Sequence, residues 1–306
     1  MIIDIHTHIF PPEIVASREP FFPGEPAFQL LYEDQKKSPL ATIEDLIGVL
    51  DTHQVQGAAT FGFPWKQSAL IRRSNDYVLE AVRRFPQRLA GFVCLNPELP
   101  DTLEEAERCL RAGMKGIGEL ALYGSSSPRS WKELFSPLAR LAAAWDVPLL
   151  LHTNEPVGHL YPGKERLPPW DLYELIQSFP ETKFILAHWG GGLWWHQLLK
   201  REVGEVLKNV YVDTAASPFL YRPEIYRYAI EILGVDKILF GSDYPLLKPD
   251  RYKKELLEAR VEGEDFRAIL GGNAQKLLQW PSPYLKAGPK PETFNALPPG
   301  PASRAI

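Results

Sequence analysis

Cysteine is nearly absent from this 306-residue chain: Cys94 and Cys109 are the only two, too few for a disulfide framework in a chain of this size. Long apolar runs are missing too. No stretch approaches the ~18 uninterrupted apolar residues that a membrane helix requires, so no membrane partner is expected. There is no basic excess, because 34 Lys and Arg face 38 Asp and Glu and leave a net charge of −4. No basic cluster offers a footprint for nucleic acid. The chain starts directly on a strand-forming run, without the basic region and apolar core of a secretory signal. No Gly-x-Gly-x-x-Gly follows that run, which argues against a dinucleotide-binding open sheet. What remains is an ordinary globular composition, 45% hydrophobic and 24% charged. The expectation is a cytoplasmic protein acting on a small molecule, with homo-oligomerisation left open.

What is present repeats. Ile2, Ile3, Ile5 and Ile9 favour a first strand. Thr42 reads as an N-cap with Asp45 three residues on, ahead of the helically spaced Leu46, Ile47, Val49 and Leu50. Short apolar runs bounded by turn residues then recur at 57–61, 89–95, 114–120, 147–152, 184–188, 210–214 and 237–240. Helical stretches follow them at 74–85, 102–112, 130–145, 169–179, 195–208, 222–233, and finally 264–270 and 272–280. Eight strand–helix units match a (β/α)8 TIM barrel over 1–280, a fold that typically needs about 250 residues. Between the first strand and Thr42, the stretch 10–41 is rich in proline and aromatics and shows no clear period, as a lid-like insertion would. The proline-rich 281–306 reads as an extended tail.

Chemistry in such a barrel collects where the strands run out. Those ends carry His6 and His8 on the first strand, Glu119 on the fourth, His152 on the fifth, His188 on the sixth and Asp243 after the eighth. Alternate residues of a strand share a face, so His6 and His8 point the same way, with Asp4 beside them to orient a histidine. Neutral imidazoles and carboxylates are good ligands for a divalent cation. Such a cation lowers the pKa of bound water toward ~7 and so supplies hydroxide at neutral pH. Asp243 beside it can move the proton, and His188 can polarise a carbonyl.

Asp4-Ile5-His6-Thr7-His8, the later strand-end histidines and Gly241-Ser242-Asp243-Tyr244-Pro245 resemble the amidohydrolase superfamily. The resemblance covers residues 2 to about 280 and points to the amidohydrolase 2 branch, which includes aminocarboxymuconate-semialdehyde decarboxylase and related hydrolases. It implies that His6, His8, His152 and Asp243 bind one or two divalent ions, most often zinc, with manganese as an alternative. It further implies that His188 polarises the substrate or holds a second metal, and that Asp243 takes the proton from metal-bound water. Gly116-Ile117-Gly118-Glu119-Leu120 resembles the fourth-strand motif of TatD-type hydrolases, where the Glu bridges two metals. Leu122-Tyr123 depart from that pattern, which speaks against nuclease activity.

The run from Glu155 through His159 and Tyr161 to Lys164 follows His152 on the same rim and is placed for substrate contact. Trp189 is a candidate pocket wall, and Arg18, Lys164 and Arg166 are candidates to hold a substrate carboxylate. Gly190-Gly191-Gly192 reads as a tight turn or as an anion-holding helix start. Activated water and a proton shuttle point first to hydrolysis of a small ester, lactone or amide. Glu119 favours that reading, because a second carboxylate suits two metals and a bridging hydroxide. The alternative is non-oxidative decarboxylation of a small aromatic or unsaturated acid. A non-catalytic metal-binding barrel is the third reading.

Overall fold

The structure, a computed structural model, describes residues 1–125, 127–165 and 167–280, so Arg166 and the proline-rich tail lie outside it. Eight strands run in chain order: β1 (Ile3–His8), β2 (Gly57–Phe61), β3 (Leu89–Val93), β4 (Gly116–Leu120), β5 (Leu149–Leu151), β6 (Phe184–Leu186), β7 (Val210–Asp213) and β8 (Ile238–Leu239). Each pairs in parallel with the next. The ring closes where Asp243 N–H donates to His6 O (2.9 Å), His8 N–H to Tyr244 O (2.7 Å) and Ile5 N–H to Phe240 O (2.8 Å). This is the expected (β/α)8 barrel, and its seam runs beside the first-strand histidines.

Strand alternation sorts the core into two layers. Ala90, Phe92, Leu150 and Ile185 belong to one buried cluster. Their strand neighbours Leu89, Val93, Leu149, Leu151, Phe184 and Leu186 pack instead with helix residues such as Val78, Leu138 and Leu175. Both strand faces are therefore covered, which is why the strands read as continuous apolar runs. Thr42 and Ser130 each close a full capping box, over the helices Ile43–Thr52 and Trp131–Ala144.

The stretch 10–41 is more ordered than its missing period suggests. It folds into the short helices Pro12–Ala16 and Pro26–Tyr32, joined by a 3-10 turn at Glu19–Phe21. Elements of one or two turns are too brief to display a helical repeat. Glu25 fastens them by accepting the Lys66 and Gln67 N–H groups (2.8 and 2.9 Å). Phe28 packs against Phe10, Phe22, Tyr32, Phe63 and Trp65.

The helix expected at 195–208 is replaced. After β6, residues Trp189 to Gly192 all take positive φ, 58–83°, and the chain runs on in 3-10 geometry to Leu198, with one short helix at Val203–Val206. Three consecutive glycines make that left-handed run accessible, and an ordinary helix cannot start through it. The glycine run is thus the tight turn, with Gly190 N–H donating to Ala187 O (3.0 Å). A helix that the sequence pattern did not signal, Asp250–Glu258, follows the loop after β8. Among the described residues no helix is long and apolar enough to cross a membrane.

Glu255 on that last helix is buried, and its Oε2 has no hydrogen-bond partner. Burial raises its carboxyl to about 7, against the neighbouring Ser217 side chain and the Arg251 charge, which lower it. An acid raised in the folded state binds more protons there than in the unfolded chain. Stability from this group is therefore full below the ordinary glutamate range and is lost as pH rises through about 7. Glu255→Gln is expected to raise Tm at pH 8 relative to the parent and to change it little at pH 4. A thermal melt series across pH checks this, and an equal shift at both ends would refute it.

Candidate metal centre

Six of the donors expected from the strand ends converge. His6 and His8 share the inward face of β1, with ring centroids 5.2 Å apart. Glu119, at the end of β4, sends Oε2 toward His6 Nε2 (3.6 Å) and His8 Nε2 (3.9 Å). Its Oε1 lies 3.0 Å from His152 Nδ1 and 3.5 Å from His188 Nε2. Asp243 Oδ1 is 3.6 Å from His6 Nε2 and 3.4 Å from His8 Nε2. The donors thus form two buried triads, His6–His8–Glu119 and Glu119–His152–His188, each with its ligand atoms within 4.8 Å of one another. Glu119 belongs to both.

Backbone geometry puts these groups in place. Gly118 sits at φ 130°, and a Cβ there would collide with Leu150 O, so only glycine brings the strand this close and turns Glu119 inward. A Cβ on Gly241 would lie 2.8 Å from His6 Cβ, so this glycine lets the chain before Asp243 pass close to β1. His188 and Asp243 themselves take positive φ, 55° and 60°, a region that side chains other than glycine seldom adopt. Such strain persists only where surrounding contacts over-determine it, and it collects at functional sites.

Each imidazole is held by its other nitrogen. His6 Nδ1 donates to Asp213 Oδ2 (2.8 Å), His8 Nδ1 to Gly62 O (3.1 Å) and His188 Nδ1 to Ala215 O (3.0 Å), which turns three Nε2 atoms toward the centre. His152 is reversed: Nε2 donates to Gly163 O (3.1 Å) and Nδ1 faces inward. This is the arrangement of metal-binding histidines, one nitrogen fixed by a partner and the other free for an ion.

Asp213, at the end of β7, is the functional residue that the sequence reading missed. It is fully buried; besides His6 Nδ1, its Oδ1 accepts the N–H groups of His188 (2.9 Å) and Ala215 (3.0 Å). One carboxylate therefore orients the first-strand histidine and pins the strained His188 backbone. The signal was available, since Val210-Tyr211-Val212-Asp213 is an apolar run ending in a carboxylate like the others. The orienting role expected of Asp4 is corrected accordingly. Asp4 Oδ1 accepts the His6 and Ser242 N–H groups (3.2 and 2.9 Å), holding backbone at the β1–β8 seam and touching no imidazole.

Electrostatically the cluster is strongly coupled. Burial alone would raise Glu119, but the charges of His6 and His152 hold it well below the usual carboxylate range. Burial likewise opposes ionisation of Asp243, and the close approach of His8 with the His6 and His188 charges lowers it to about 2. His188 moves the other way. Burial would lower it, yet the Glu119 hydrogen bond and the Asp243 charge raise it to about 9. Two buried carboxylates that stay ionised make a strong cation site. His6 Nε2 supplies the test of fit: it is buried, has no hydrogen-bond partner and points at both carboxylates. The donor set is that of a divalent cation.

The centre opens into a cavity of about 670 Å3 whose lining includes His8, Glu119, His152, His188 and Asp243. Its walls are Leu31, Tyr32, Phe63, Tyr123 and Phe219, with Leu31 and Tyr32 contributed by the insertion. His159 and Tyr161 also reach the cavity. Four other expected contacts do not. Lys164 is bound to Glu155 Oε1 (2.8 Å), Val157 O and His159 O, so the pair braces its own loop. Arg18 donates to Tyr32 O and Ser38 O (2.8 Å each), tying the insertion together. Trp189 is fully buried with its ring edge-on to Tyr226, because the left-handed turn after His188 swings it away from the rim. Tyr123, whose hydroxyl lies 3.4 Å from His152 Nδ1, is a wall residue that the sequence reading noted only as a departure from a motif.

Fold and donor set together define a divalent-metal enzyme of the (β/α)8-barrel class. The chain belongs to the amidohydrolase family, whose Amidohydro_2 pattern matches residues 3–280. It is 27% identical over 279 residues to a gamma-resorcylate decarboxylase of Polaromonas sp. (strain JS666 / ATCC BAA-500), covering 78% of this chain and 83% of that protein. It is 26% identical over 249 residues to a 6-methylsalicylic acid decarboxylase of Penicillium expansum, covering 70% and 76%. Among solved structures, the dihydroxybenzoic acid decarboxylase of Polaromonas sp. JS666, with bound manganese and the inhibitor 2-nitroresorcinol, has the same fold. That match has a TM-score of 0.67 and 22% identity over 91% of this chain and 96% of the other. These relatives overturn the expectation of a hydrolase. The donor set expected for hydrolysis serves carbon–carbon cleavage equally well, so ligand identity alone could not separate the two reactions.

Proposed function

We propose that this chain is a divalent-metal-dependent, non-oxidative decarboxylase of an aromatic or unsaturated carboxylic acid. His6, His8, Glu119, His152, His188 and Asp243 are the proposed donors, with His159 and Tyr161 as substrate contacts. The observation that carries the reading is a buried imidazole–carboxylate set opening into an apolar, aromatic-walled cavity. The names of the relatives support the choice of reaction. Manganese is proposed in place of zinc, on the metal held by the Polaromonas structure. Mixed carboxylate and imidazole donors suit it.

When bound, the cation supplies the positive charge that fixes a substrate carboxylate and a neighbouring oxygen. The remaining work falls to the chain. Asp243, ionised at neutral pH, accepts a proton from the substrate's hydroxyl and returns it to the carbon bearing the carboxylate. The bond to the carboxylate breaks, its electron pair stays with the ring and carbon dioxide leaves; the hydroxyl recovers its proton from water. His188, its Nδ1 held by Ala215 O, keeps Nε2 directed into the donor cluster beside Glu119. Tyr32, Phe63 and Tyr123 exclude water around the ring.

The test is carbon dioxide release from hydroxybenzoates by manganese-loaded protein, alongside acid release from esters and lactones. Ester or lactone turnover without carbon dioxide release would refute the proposal. Because Glu119 joins both triads, Glu119→Gln is expected to at least halve the metal bound per chain. Elemental analysis decides this, and unchanged metal content would remove Glu119 from the site.

A further inference from the structure

The cavity is larger than a single benzene ring needs, and beyond the donor set much of its lining is apolar. A cavity of about 150 Å3 lined by Leu, Ile and Phe already holds benzene; this one measures about 670 Å3. Its outer wall is Leu30, Leu31, Phe219, Leu220 and Leu246, contributed by the insertion, by the short helix Ser217–Leu220 and by the loop after β8. Leu30, Phe219 and Leu246 are 57%, 54% and 39% exposed. Large apolar side chains left in water around one cavity mouth mark a ligand surface.

Charge at that mouth is unfavourable to anions. Glu33 and Asp34 line it. Lys37 is the one Lys or Arg among the described lining residues, and it is 84% exposed and paired with Asp34 at 3.3 Å. Two cations from the loops beside the site, Arg18 and Lys164, are occupied by backbone carbonyls and by Glu155. A second carboxylate on a substrate would therefore leave water for leucines and a phenylalanine, with two acids beside it and, among the described lining residues, no Lys or Arg but the Asp34-paired Lys37 to meet it.

We propose that this outer wall is an apolar subsite selecting a monocarboxylic hydroxyarene extended by a second ring or an alkyl chain, and rejecting diacids. The proposal rests on the decarboxylase reading for the reacting end of the substrate; the subsite itself rests on cavity size and lining. Its test is equilibrium binding, which needs no turnover. Calorimetry on manganese-loaded protein would compare salicylate, 1-hydroxy-2-naphthoate and 4-hydroxyisophthalate, with carbon dioxide release followed in parallel.

The naphthoate is expected to bind at least tenfold more tightly than salicylate, and the diacid at least tenfold more weakly. Phe219→Ala, at an exposed position that need not disturb folding, should erase most of the naphthoate's advantage over salicylate. Leu30→Arg should improve the diacid by at least fivefold. Equal binding of naphthoate and salicylate, or tighter binding of the diacid by the parent protein, would overturn the subsite. Tight naphthoate binding without carbon dioxide release would sink the decarboxylase reading and leave the subsite standing.

Discussion

Asp243→Asn is expected to lower kcat by roughly 10^3-fold, within the range that a positioned acid–base group supplies. The asparagine amide is nearly the same size and can keep its place beside His8, yet it cannot take a proton from the substrate or return one to carbon. Asp243 also stands among the proposed donors, 3.6 Å from His6 Nε2 and 3.4 Å from His8 Nε2. Metal content must therefore be measured with the rate. If elemental analysis shows full loading and turnover is still lost, the defect is in proton transfer. Turnover within tenfold of the parent at full loading would remove Asp243 from the chemistry.

Asp213→Asn has a different signature. The carboxylate accepts three N–H groups, from the His6 ring and from the backbones of His188 and Ala215. An asparagine can accept at one atom only and presents an NH2 at the other. If that NH2 faces His6 Nδ1, the imidazole must carry its proton on Nε2, the atom aimed at the cation. Loss of such an orienting partner typically costs 10–100-fold in metal affinity. The same loss, about 10–100-fold, is expected here, and excess metal should restore much of the activity, which it cannot do for Asp243→Asn. Competition against a calibrated chelator measures the affinity. An unchanged affinity would mean that Asp213 only buttresses the backbone.

Much of the architecture could be read directly from residue order. Eight apolar runs separated by helical stretches specify a barrel, because parallel strands covered on both faces need no polar alternation. The strand-end histidines and carboxylates were legible for the same reason: each interrupts or terminates an apolar run where the rim must lie. The helices failed where the local chain is short or glycine-rich. The insertion's helices span five to seven residues, and the left-handed turn after His188 breaks the periodicity that would have continued to 208.

Residue order alone determined the barrel, its rim and the chemical kind of donors on it, because these follow from periodicities of two and 3.6 residues and from side-chain type. Only the tertiary structure decided which polar groups serve each other. Asp213 meets a histidine 207 positions away, and Lys164 and Arg18 turn out to be occupied within their own loops. Neither ligand type nor spacing separates the two reactions, and the proposal of decarboxylation draws on the relatives. The physical reason is distance in the chain. Pairings across the ring depend on how eight strands close, and nothing in the local sequence around either partner encodes where the other will stand.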